Sequence, residues 1–221
     1  MLNDAFRPFL DSLMTRRFQQ GNIIVYQGEV PRTMYIVKSG IVKLYNITQQ
    51  GDERIVDFKL AGDIFPTSWT FDQMAAAFYY YEAQTDCEVY SASFDEFQTY
   101  ISKNVDALKA LSEGYLGKYA GSLMRITALE QPKATDKVLF TLYYLVQGYG
   151  RQISPGVYRI AMQLTQQMIA DLIGLTRETT AAELVKLKKR EILTYRGREY
   201  TIDRQKLVSA IGEDNFKHLQ I

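Results

Sequence analysis

Residues 164–187, LTQQMIADLIGLTRETTAAELVKL, predict two short helices joined by a tight turn. Thr165 suits an N-cap, because its hydroxyl can accept from a backbone N–H left free in the first turn. Ile169 and Ile173 then fall on one inward face, and Ala170 is small where the two helices must cross closely. Gly174 stands at the turn, where the chain needs a left-handed residue. Leu175 fills the space beneath it, and Thr176 caps the second helix. Arg177 and Glu178 occupy the first turn of that second helix.

This is the layout of a helix-turn-helix over residues 165–190, whose second helix can enter the major groove of duplex DNA. Arg177 can donate two hydrogen bonds to a guanine edge, and Glu178 can accept from a cytosine amino group. Lys186, Lys188, Lys189 and Arg190 follow along the same helix. Phosphate contacts from them would set register without reading sequence, although such a charge run is also what a solvated face looks like. Leu193-Thr194-Tyr195-Arg196-Gly197-Arg198-Glu199-Tyr200-Thr201-Ile202 reads as a hairpin with Arg196 and Arg198 at its tip. The domain is therefore a winged helix. Thr165, Gln166, Thr176, Arg177, Glu178, Thr179, Ala182, Lys186, Lys188, Arg196 and Arg198 are the candidate DNA-facing residues.

Upstream, Pro132 closes a long helical stripe of Leu108, Leu111, Tyr115, Tyr119, Leu123, Ile126 and Leu129. Either this helix docks on its own domain or it pairs with a second copy; Leu108, Leu111, Tyr115, Tyr119, Leu123 and Ile126 are then the dimer positions. Gly114, Gly117 and Gly121 lie near one face and favour a close contact there. After Pro132, Thr135 can cap a helix from about Asp136 to Gln147, with Val138, Leu139, Leu142, Tyr143 and Leu145 as its apolar residues.

Residues 18–97 read as β structure. Ile23–Tyr26, Met34–Val37, Ile41–Tyr45 and Ile55–Phe58 are short and rich in β-branched and aromatic residues. Gly21, Gly28, Gly40, Gly51 and Gly62 punctuate them every 7–12 residues, the spacing of a sandwich or barrel. The fold class is α+β: a β-roll at 1–104, a long helix at 105–131 and a winged helix at 132–221.

Composition narrows the function. The 221 residues are 47% hydrophobic and 23% charged, enough for two modest domains with real cores. No apolar run approaches the ~20 residues of a membrane-spanning helix, and the N-terminus lacks a signal-peptide core. A cytoplasmic protein away from membranes is expected. One cysteine, Cys87, and one histidine, His218, leave no disulfide, no Cys-ligated iron–sulfur cluster and no Cys/His zinc site. No metal, cofactor or enzymatic activity is expected. Residues 1–130 carry 12 Lys and Arg against 16 Asp and Glu, whereas residues 131–221 carry 14 against 9. A basic C-terminal part fits a domain that meets a polyanion.

The chain resembles the Crp–Fnr family, the relatives of the cyclic-AMP receptor protein. The resemblance rests on Gly21, Gly28-Glu29, Tyr35-Ile36-Val37, Gly40 and Gly62-Asp63-Ile64-Phe65-Pro66, then the long helix, then Gly174-Leu175-Thr176-Arg177-Glu178-Thr179. It implies a cyclic-nucleotide-binding-like β-roll, a homodimer paired through the long helix, and base-contacting Arg177 and Glu178. RNA polymerase is a candidate partner. Many relatives carry an Arg where this chain has Ala182, and apolar residues where it has Thr180 and Glu183.

Cyclic-nucleotide members hold the phosphate with an Arg-Ser pair that aligns with Ala77-Phe78 here. No Lys or Arg lies between Ile64 and Tyr81, so a cyclic nucleotide is not the expected effector. Phe65, Trp69, Phe71, Met74, Phe78, Tyr79, Tyr80 and Tyr81 instead suggest an apolar pocket, either empty for an uncharged small-molecule effector or filled by its own side chains. Asp63, Phe65, Trp69, Phe78 and Tyr80 are its candidate residues. Haem sensing is not expected, since Cys87 sits in a core strand and His218 is remote. A second reading is a sensor whose helix-turn-helix has become a protein-interaction module.

Overall fold

The computed structural model describes residues 4–66 and 76–212. Trp69, Phe71, Met74 and His218 lie outside the described residues. The chain divides into two compact units, Met1–Gly117 and Lys118–Ile221.

The first unit opens with a 3-10 turn, Asp4–Phe6, and helix α1, Arg7–Ser12. Among the described residues eight strands follow: β1 Met14–Phe18, β2 Ile23–Val25, β3 Met34–Ser39, β4 Val42–Ile47, β5 Glu53–Lys59, β6 Ile64–Phe65, β7 Tyr80–Ala83 and β8 Cys87–Ala92. They form two antiparallel sheets, ordered β1-β8-β3-β6 and β2-β7-β4-β5. The interleaved order makes a roll: consecutive strands alternate between sheets, except β4 and β5, which pair as a hairpin.

Period-two alternation explains the two cores. Tyr35, Val37, Phe65, Cys87 and Val89 pack with Val42, Leu44, Tyr81 and Ala83 of the second sheet. Met34, Ile36, Ile64 and Ala92 point the other way and meet Phe6, Phe9 and the following helices. The β3 strand is thus buried on both faces, so its Met34–Val37 segment is a continuous apolar run. All five predicted turn glycines have positive φ. Gly40 is doubly constrained, because a Cβ there would collide with the Asp86 carbonyl and lie 2.8 Å from Cys87 Sγ.

Helix α2, Phe94–Lys103, starts at a capping box: Ser93 Oγ accepts from Glu96 N while the Glu96 carboxylate accepts from Ser93 N. Helix α3, Val105–Glu130, is the long helix. It does not present its predicted stripe on one free face. Leu111 is buried with Phe6, Phe97 and Ile101, and Tyr115 packs against the same cluster. The three-or-four spacing collected residues from two adjacent faces, one docked on the roll and one open.

In the second unit α3 ends before Pro132, and Lys137 Nζ donates to the Leu129 carbonyl. Helix α4 runs Ala134–Tyr149, not Asp136–Gln147. Its N-cap is Lys133 without a side-chain cap; Thr135 lies inside the first turn, and its hydroxyl serves another partner described below. Val138, Leu139, Leu142, Tyr143 and Leu145 are all buried. Strands β9, Gly150–Ser154, and β10, Val157–Ile160, were not foreseen. They join β11, Leu193–Arg196, and β12, Glu199–Asp203, in a sheet ordered β11-β12-β10-β9. Helix α5 is Gln166–Ile173, α6 is Arg177–Lys189, and α7 is Arg204–Ile211.

Candidate nucleic-acid interface

Local chemistry builds this site in the order of the chain. Thr165 Oγ1 accepts from Met168 N at 3.0 Å and opens α5. Met168, Ile169, Ala170, Leu172 and Ile173 are buried. Gly174 adopts φ 66°, ψ 32°, and the Leu175 N–H returns to the Ala170 carbonyl at 3.2 Å. A Cβ at Gly174 would touch nothing, so the left-handed backbone alone demands glycine. Thr176 Oγ1 then accepts from Thr179 N at 3.2 Å and starts α6 in a new direction. Thr165 and Thr176 therefore act first as caps.

Burial divides α6 into two faces. Thr180, Glu183, Leu184 and Leu187 point inward. Arg177, Glu178, Ala182, Val185, Lys186, Lys188 and Lys189 are exposed. Glu178, Ala182, Val185 and Lys189 lie four, seven and eleven residues apart and form one outward stripe. Lys189 was expected as a phosphate contact, whereas Val185 was missed; the same helical spacing that exposes Ala182 would have found it.

Two predicted basic residues are engaged within the chain. Lys186 Nζ lies 2.6 Å from Glu183 Oε1. Lys188 Nζ sits 4.7 Å from the Tyr195 ring centroid, and Tyr195 stacks on Tyr200 at 5.3 Å. This cation–π contact joins the end of α6 to β11, the first strand of the wing. The wing turns at Gly197-Arg198, between paired Arg196 and Glu199, and leaves Arg196 and Arg198 exposed. The Arg198 carbonyl accepts from Leu164 N at 2.9 Å, which ties the tip to the start of the motif.

The underside of α6 is polar at two points. Thr180 is fully buried, and its Oγ1 has no hydrogen-bond partner among the described residues. Glu183 Oε2 accepts from Thr135 Oγ1 of α4 at 2.7 Å. Burial of Glu183 disfavours its charge, but the bonds from Lys186 and Thr135 outweigh that and hold the carboxyl below its usual range. Arg125, near the end of α3, donates to the Leu172 carbonyl at 2.8 Å and satisfies one of the last acceptors of α5.

In the roll, the described members of the predicted effector pocket do not converge. Phe65 is buried between the sheets, stacked on Tyr81 at 5.3 Å. Tyr80 is the neighbour of Tyr81 on β7 and so faces the opposite side, stacked on Tyr45 at 5.2 Å. Phe78 is half exposed, and Asp63 accepts from Leu60 N. Strand alternation scatters residues that sequence proximity had grouped. Ala77 is buried; its N–H donates to the Glu29 carbonyl and its own carbonyl accepts from Gly28 N, each at 2.7 Å. The Glu29 carboxylate accepts from Tyr26 N. Cys87 is buried in β8 with its thiol directed at the Ile41 and Thr85 carbonyls, and burial pushes the thiol up.

Comparison with known proteins agrees with this architecture. Residues 15–104 match the cyclic nucleotide-binding domain family and residues 137–210 the Crp-like helix-turn-helix domain family. The chain is 30% identical over 205 residues to the fumarate and nitrate reduction regulatory protein of Vibrio cholerae, covering 91% of this chain and 80% of that one. To the protein of the same name in Escherichia coli K12 it is 27% identical over 207 residues, with 91% and 80% covered. Among solved structures, FixK2 from Bradyrhizobium japonicum superposes with a TM-score of 0.72 at 22% identity, covering 89% of this chain and 96% of that one. A CooA mutant from Carboxydothermus hydrogenoformans gives 0.74 at 22%, with 92% and 90% covered.

Proposed function

Because the chain belongs to the Crp–Fnr family of transcription regulators, we propose that it binds operator DNA as a homodimer, with α6 of each copy in a major groove. The division of labour we assign is 1–104 for the effector, 105–131 for pairing and 132–221 for DNA. The observation that carries the DNA role is the pair of threonine caps around left-handed Gly174, which sets Arg177 and Glu178 exposed at the start of a rigid helix. Arg177 and Glu178 read bases, Ala182 and Val185 offer apolar contact to thymine methyls, and Arg196 and Arg198 meet the backbone. RNA polymerase is the further partner, and the protein works in the cytoplasm without catalysing a reaction.

Pairing uses the open face of α3. Val105, Leu108, Leu116, Tyr119, Leu123 and Ile126 are all exposed, and with Ser112 they repeat at the three-and-four spacing of a coiled-coil seam. Leu111 and Tyr115 support this seam from the roll side instead of joining it.

The effector we assign is uncharged and is not a cyclic nucleotide. An anionic phosphate held in the roll needs a cation or free N–H groups, yet Ala77 brings no charge and its N–H is already bonded to Glu29. Selection of duplexes from a random pool by the purified protein tests the function. A palindromic consensus, bound more tightly than random duplex at moderate salt, is expected; equal binding to every duplex would favour a protein-interaction role for the motif. Calorimetry with cyclic AMP, expected to show no heat of binding, tests the effector assignment.

A further inference from the structure

The polar contacts beneath α6 have a consequence for DNA recognition. Glu183 sits on the face of α6 turned toward α4, with only 8% of its side chain exposed. One carboxylate oxygen takes the Thr135 hydroxyl and the other takes Lys186 Nζ. A buried carboxylate is tolerated when it is fully bonded, and this one has both partners. Thr135 lies in the first turn of α4, where free N–H groups also favour an anion. The reading helix is thus fastened to α4 through a hydrogen bond at its midpoint, less than two turns from Arg177 and Glu178. The same carboxylate neutralises a lysine that the helix otherwise presents to solvent, 63% exposed.

We propose that Glu183 is a positioning residue for DNA reading: through Thr135 it sets the seating of α6, and through Lys186 it withholds one positive charge from the phosphate backbone. This rests on the DNA-binding function proposed above. Two effects follow, and they separate. Losing the Thr135 bond loosens the seat of α6 and lowers discrimination between sequences. Losing the Glu183 charge releases Lys186, which adds a phosphate contact that is blind to sequence.

The experiment measures binding of the full-length protein to two duplexes, one selected by the wild type from a random pool and one scrambled, over a range of salt. For Glu183→Gln, whose amide oxygen can still accept from Thr135, the slope of log K against log salt is expected to steepen by about 0.9 per half-site. Affinity for both duplexes should rise by a similar factor, so that the ratio between them stays that of the wild type. Lys186→Ala should change the wild-type slope by much less than that, and Glu183→Gln with Lys186→Ala should return to it. Thr135→Val should leave the slope unchanged but lower the preference for the selected duplex by roughly 5–30-fold, the range of a 1–2 kcal/mol change, and Thr135→Ser should restore it. Thermal unfolding of each variant confirms that it is folded. An unchanged slope in Glu183→Gln, or a full-unit loss of slope in Lys186→Ala, overturns the electrostatic part. An unchanged preference in Thr135→Val overturns the positioning part. A wild type that bound no duplex would overturn the DNA-binding function itself, and the inference with it.

Discussion

Single residues carry the sharpest consequences. Arg177 is exposed in the first turn of α6, so its truncation should spare stability. Arg177→Ala is expected to lose roughly 1–3 kcal/mol of discrimination per half-site, read as the affinity ratio between selected and scrambled duplexes. Thr180 poses the opposite case. Its buried hydroxyl has no partner among the described residues, and such a group typically costs about 1–3 kcal/mol. Thr180→Val, nearly the same shape without the hydroxyl, should therefore raise the melting temperature; a fall would show that the hydroxyl is bonded in solution. Gly40 tolerates no side chain. Gly40→Ala should destabilise by roughly 2–4 kcal/mol, since left-handed strain adds to a clash with the Asp86 backbone. The resemblance to the family marked Thr180 and Glu183 as departures within the motif. Only the packing of α4 against α6 supplied the Thr135 partner, forty-eight residues away.

At the scale of elements, legibility followed the length over which a pattern is local. The motif of α5 and α6 was readable because caps, turn glycine and apolar phase all lie within about 25 residues. The end of α6 falls at Lys189, within the predicted span of 165–190, but without a glycine to mark it. Glu191 takes the left-handed position there with φ 55°, where glycine is the usual signal, and Ile192 N bonds back to the Leu187 carbonyl. Strands β9 and β10 were missed for a related reason. They hold because β10 pairs with β12, some forty-five residues on. The seam on α3 yields a direct test. Leu123→Glu together with Ile126→Glu should convert dimer to monomer in sedimentation, with the fold of each unit retained, because both side chains are exposed. Persistence of the dimer would place the interface elsewhere.

For the molecule as a whole, acid and base should act at named places. Glu183 has its carboxyl below the usual range, so the stability it contributes is present above the ordinary carboxylate value of about 4.3 and is lost as pH falls through the depressed one. Melting temperature should therefore drop in acid less steeply for Glu183→Gln than for the wild type. Tyr200 moves the other way: burial, then the nearby Tyr195, pushes its phenol up to about 12. Its neutral form is favoured in the fold, so that stability holds below about pH 10 and is lost as pH rises toward the folded value. Ultraviolet titration should show late-ionising tyrosines, Tyr200 and the likewise raised Tyr45 among them, with one fewer in Tyr200→Phe.

By itself the amino-acid sequence determined the order of β-roll, long helix and winged helix, the motif at 165–190 and the residues that open its second helix. Each of these depends on short-range periodicity, capping and turn chemistry, which neighbouring residues settle among themselves. Tertiary structure alone decided which face of α3 stays open, which of the clustered aromatic residues lie between the sheets, and which lysines of α6 are already paired. Those outcomes depend on contacts between segments far apart in the chain, and no local pattern records them. The helix-turn-helix was legible as a motif; its fastening through Glu183 and Thr135 became visible only once the helices were packed together.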